Sequence, residues 1–77
     1  METVVKAFIR VDENNSYVAE CYNLPVVTQG SSLDEAARNL QEAVALALSD
    51  GDFTTLGFRS ETPPLIVTLE LPISHAA

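Results

Sequence analysis

Positive charge is scarce in this sequence. Its 77 residues carry 4 Lys and Arg against 11 Asp and Glu, a formal net charge of −7. Nucleic-acid modules neutralise phosphates with clustered basic side chains. Here Lys6, Arg10, Arg38 and Arg59 are scattered along the chain, which argues against direct binding to DNA or RNA. Cysteine and histidine are equally rare. Cys21 stands alone, so no intrachain disulfide forms, and the single histidine, His75, lies close to the C-terminal end, where chains commonly fray. No cofactor or metal site is therefore expected. No apolar run approaches the length that spans a bilayer. Met1-Glu2-Thr3 lacks the basic start and apolar stretch of a signal peptide, and a lone free cysteine suits a reducing compartment. The expectation is a cytoplasmic protein. A chain this short stabilises itself with disulfides, metals or association, and association is what remains.

The apolar share is 47%, enough for a folded core, and its pattern is informative. Residues 3–11 alternate, with Val5, Ala7, Ile9 and Val11 on one side and Val4, Lys6, Phe8 and Arg10 on the other; this is the period of a strand. The polar cluster Asp12-Glu13-Asn14-Asn15 carries turn chemistry. Residues 16–22 alternate again, which makes a hairpin. Pro25 interrupts the ladder, residues 26–29 form a short third strand, and Gly30 ends it. Ser32-Leu33-Asp34-Glu35 is a capping box, in which the Ser32 hydroxyl accepts from the Glu35 amide and the Glu35 carboxylate reaches back to the Ser32 amide. Behind it Leu33, Ala36, Ala37, Leu40, Val44, Ala47 and Leu48 form one helical stripe, stopped at Asp50-Gly51. The helix, roughly 25 Å long, matches a strand of roughly 23 Å and can cover one sheet face. Residues 52–62 are expected to form a loop with one helical turn in it. After Pro63-Pro64, residues 65–71 alternate Leu65, Val67, Leu69 and Leu71 with Ile66, Thr68 and Glu70, the clearest strand of all.

The order β-β-β-α-β with a right-handed crossover predicts an α+β fold. It has one sheet in spatial order 3-2-1-4 and one helix on one face. A single domain is expected, with its core over residues 3–71 and a flexible tail over 72–77. The face without a helix would carry Val4, Phe8, Val18, Tyr22 and Ile66. Exposed apolar patches of this kind mark association, so these five are the candidate self-association residues of a homodimer or homotetramer.

The stretch Asn15-Ser16-Tyr17-Val18-Ala19-Glu20-Cys21 is followed by Leu24, Val26-Val27-Thr28-Gln29-Gly30, Ser32-Leu33-Asp34-Glu35-Ala36 and Asn39-Leu40-Gln41-Glu42-Ala43-Val44. In order and spacing, and in the Pro63-Pro64-Leu65 entry to the last strand, this resembles the HicB family of antitoxins. The resemblance implies a partial ribonuclease-H-like fold. It also implies a type II toxin–antitoxin role, in which the protein occludes a small basic, HicA-like toxin that cleaves mRNA. Many members append a DNA-binding domain, and the expectation here is a form without one. The alternative function is an orphan self-associating domain of the same fold, structural or ligand-binding and without catalysis.

Candidate partner contacts are Glu20, Glu42, Leu46, Phe53 and Phe58. Leu46 is the large apolar residue opposite the helix stripe. It either packs under the loop that holds Phe53 and Phe58 or meets another subunit or a toxin. Catalysis is not expected. Two-metal nuclease chemistry needs converging carboxylates, whereas Asp12 belongs to a turn and Asp34 and Glu35 to a helix cap. Cys21 alternates with Tyr17 and Ala19 towards the helix, which is the place of an inert core thiol.

Overall fold

The computed structural model describes residues 3–50, 54–59 and 62–73. Five elements follow in order: β1 (Val5–Val11), β2 (Tyr17–Cys21), β3 (Val27–Gly30), α1 (Leu33–Asp50) and β4 (Leu65–Glu70). The strands form one mixed sheet, β3-β2-β1-β4. β1 and β2, and β2 and β3, pair antiparallel, while β4 returns parallel to β1. The α+β class, the strand order and the single helix are those the hydrophobic periods predict.

Side-chain chemistry at the connections explains why the strands begin and end where they do. At the β1–β2 turn Asp12 Oδ1 accepts from the amides of Asn14 at 2.8 Å and Ser16 at 2.9 Å. Asn15 sits at φ 63°, in the left-handed region that asparagine tolerates better than most residues. After β2 the side-chain amide of Asn23 takes over the pairing. Its Oδ1 accepts from the Lys6 amide and its Nδ2 donates to the Val4 carbonyl, each at 3.0 Å. The side chain thus satisfies the start of β1 where the backbone turns away.

β3 runs one residue later than its sequence pattern suggests and includes Gly30. A Cβ on Gly30 would lie 2.5 Å from the Ala36 backbone nitrogen and 2.9 Å from its Cα. The strand and the first turn of α1 approach so closely that only glycine fits. The cap is also shifted on one side. Ser32 Oγ accepts from the Glu35 amide at 3.1 Å as expected, but Glu35 Oε1 accepts from the Ser31 amide at 2.8 Å, not from that of Ser32. One residue of extra reach ties the strand end to the helix start.

The core lies between α1 and the sheet. Val5, Ala7 and Ile9 of β1, Ala19 of β2, and Ala36, Leu40, Val44 and Leu48 of α1 are buried, together with Leu24, Val26 and Phe58. Tyr17, Cys21, Ala37, Ala43 and Ala47 pack against its margin. Leu33, which belongs to the stripe by spacing, is exposed at the first helical position. Residues 54–57 form a turn closed by the Gly57 amide on the Thr54 carbonyl at 3.0 Å, with Gly57 at φ 94°. Gly51, where the helix stop was expected, and the tail beyond Ile73 lie outside the described residues.

Candidate interaction surfaces

The sheet has two faces and the helix a solvent side, and the candidate residues distribute over all three. Strand parity puts Val4, Lys6, Phe8 and Arg10 on the face away from α1. Register adds Val18, Glu20 and Tyr22 from β2, Val27 and Gln29 from β3, and Ile66, Thr68 and Glu70 from β4. The structure therefore brings Val4, Phe8, Val18, Tyr22 and Ile66 together on one face. They are unequally available. Val4, Phe8 and Val18 are half-buried, whereas Tyr22 and Ile66 are 69% and 54% exposed. Phe8 gains its cover partly from Tyr22, whose ring centroid lies 5.0 Å away at a 44° tilt. Val27, 69% exposed, belongs to this face as the register partner of Glu20.

The partner-contact candidates do not form one site. Glu20 is on the open face, 4.0 Å from the Arg10 guanidinium. Glu42 and Leu46 are exposed one turn apart on the solvent side of α1, across the sheet and core from Glu20. Leu46 is 62% exposed, so the described part of the loop, residues 54–59, does not cover it. Phe58 requires correction as a contact residue. It is fully buried, because the turn before it carries the ring under the helix into the core. Phe53 lies outside the described residues.

One apolar surface escapes sequence reasoning. Val5, Ala7 and Ile9 are register partners of Leu65, Val67 and Leu69 on the helix-side face. The alternation alone suggests that α1 covers both sets. Instead α1 packs over β3 and β2. The β1 side chains are buried at 0–2% exposure, while Val67 and Leu69 are each 40% exposed and Leu71 and Ile73 more so. The signal that could have found this is the small size of Ala36, Ala37 and Gly30. Small residues draw the helix towards β3, and so away from β4.

Among the described residues no group of three or more His, Cys, Asp or Glu side chains could hold a metal ion. Asp12 is committed to its turn amides and Glu35 to the cap. Cys21 packs against the core, and burial pushes its thiol pKa up, which suppresses the reactive thiolate. No helix among the described residues is long and apolar enough to cross a membrane.

Comparison with known proteins places the chain. No protein-family model matches it, and no solved structure does. A UPF0150 protein of Helicobacter pylori (strain J99) is 34% identical over 68 residues, covering 88% of this chain and 94% of that protein. The match spans sheet and helix together, and on it this chain belongs to the UPF0150 family.

Proposed function

We propose that this protein is a HicB-like antitoxin module that binds a small basic, mRNA-cleaving toxin of the HicA type and covers its RNA-binding surface, acting by occlusion and without catalysis of its own. The observation that carries the reading is the near full-length match to a UPF0150 protein on a chain with the ordered HicB-like pieces described above. Membership of that family fits such a module. Charge supports it too: −7 on so small a chain is complementary to a protein that must itself attract RNA, and complementary charge speeds encounter and selects partners. The outer surface of α1 joins acid to apolar contact at Glu42 and Leu46, both exposed. That pairing suits a basic partner with an apolar anchor. The exposed apolar surface of β4 also favours the second reading, a self-associating domain, and the two are compatible when self-association and toxin binding use different surfaces.

The test takes the short basic protein encoded beside this one, purified with and without it. Sub-micromolar binding by calorimetry, together with suppressed RNA cleavage, is the expected result. Binding should weaken when Glu42→Lys and Leu46→Asp are combined. A basic neighbour that neither binds nor loses its RNA cleavage overturns the reading.

A further inference from the structure

The two edges of the sheet are treated differently. β3 has four residues, and its outward backbone is partly answered from within the chain: Asn39 Nδ2 donates to the Gln29 carbonyl at 2.8 Å. Short, covered edges of this kind resist pairing with other chains. Among the described residues β4 has neither protection. Because the Val5 amide donates to the Pro64 carbonyl and β1 and β4 run parallel in register, the backbone groups of Ile66, Thr68 and Glu70 face β1. Those of Leu65, Val67 and Leu69 face outward, and Leu71 continues their parity. No lysine or proline interrupts residues 65–71, and Glu70 is their sole charge, so little charge repels a second copy along this edge.

We infer that β4 is the seam of a homodimer, in which a second copy pairs antiparallel along this edge about a two-fold axis at Thr68 and continues the sheet. The segment Leu65-Ile66-Val67-Thr68-Leu69-Glu70-Leu71 is self-complementary about its centre, as a two-fold interface requires. Val67 falls opposite Leu69 of the second copy and Leu65 opposite its Leu71, all on the helix side. Ile66 falls opposite Glu70 on the open face. Each outward residue then exchanges backbone hydrogen bonds with its opposite. Moving the axis to Val67 would instead set Leu71 opposite Pro63, which has no amide to donate. Ile66, Val67, Leu69, Leu71 and Ile73 are 40–95% exposed. They offer on the order of 500 Å² of apolar surface per chain against the about 800 Å² of a standard interface, and the strand backbones with Thr68 and Glu70 add to it. This seam leaves the solvent side of α1 free for another partner.

The test is light scattering coupled to size exclusion at about 100 micromolar on the full chain, with circular dichroism to confirm folding. Wild type should run as a dimer. Val67→Lys puts a charge on the seam without touching the β1 ladder and should shift the population to monomer at least tenfold. Leu71→Lys, which lies beyond the strand, should do the same and carries the test if Val67→Lys fails to fold. Tyr22→Lys on the open face should remain dimeric. A monomeric wild type overturns the proposal. So does a dimer that survives both seam variants but dissociates with Tyr22→Lys, which would place the second copy on the open face. A monomer that captures an unrelated peptide strand along β4 would also overturn it.

Discussion

β1 and β4 are neighbours in one sheet, parallel and in register, with the same alternation on the same face. Val5, Ala7 and Ile9 are nevertheless sealed, while Val67 and Leu69 are 40% exposed. The difference lies in what crosses above them. One helix, about 10 Å across, covers about two strand spacings of about 4.8 Å, and α1 packs over β3 and β2, drawn there by the Gly30–Ala36 contact. Leu40, Val44, Leu48 and Phe58 form one core cluster with Val5, Ala7 and Ile9 of β1, and on β4 it is Leu65, at the strand's start, that packs against this cluster, while Val67 and Leu69 stay exposed. A strand pattern states that one side will be apolar. It does not state which strand the helix will leave bare.

The widest gap between the two strands should appear on truncation. Phe58→Ala removes a fully buried ring from the covered side and should cost about 3–5 kcal/mol. Ile9→Ala, beside it, should cost about 2–5 kcal/mol. Leu69→Ala, the register partner of Ile9, should cost about 1 kcal/mol or less in dilute protein, as befits a half-exposed side chain. Urea titration of the three variants checks the ranking, and equal losses at Ile9 and Leu69 would mean that β4 is covered in the monomer.

Gly30→Ala probes what draws the helix to one side. The added methyl meets backbone of Ala36 that cannot swing away, so a loss of about 3 kcal/mol is expected, with the same titration as the measure. A neutral result would mean that α1 is free to shift towards β4. Ser32→Ala removes the hydroxyl that accepts from Glu35 and should cost about 1 kcal/mol, with the Glu35–Ser31 contact retained. An unchanged urea midpoint would show that the helix start does not depend on this cap. The smallest effect concerns charge: anisotropy titration with duplex DNA at physiological salt should give no specific micromolar binding, since the basic residues are few and scattered.

Much of the fold was legible because its signals are local. The period-two runs gave β1, β2 and β4, Ser32 and Glu35 marked the helix start, and the element order implied β3-β2-β1-β4. The open face followed from parity, so Val4, Phe8, Val18, Tyr22 and Ile66 do share one side. What was not legible depends on three-dimensional packing. Phe58 has no periodic context to mark it as core, Leu33 fits the stripe yet is exposed, and nothing in the alternation of Val67 and Leu69 reveals that the helix stops short of them. Nor was it legible that Glu20 lies on the open face while Glu42 and Leu46 lie on the solvent side of α1, since sequence distance carries no information about opposite faces.

Amide hydrogen exchange tests most directly the claim that a second copy covers β4. Along this strand alternate amides face different neighbours: Ile66 and Thr68 donate to β1, while Val67 and Leu69 point outward. At about 100 micromolar the account predicts that Val67 and Leu69 exchange within about tenfold of Ile66 and Thr68, because both sides of the strand are hydrogen-bonded, and that dilution releases the outward pair first. Protection of Ile66 and Thr68 alone, with Val67 and Leu69 exchanging at the rate of an open chain at every concentration, would contradict it.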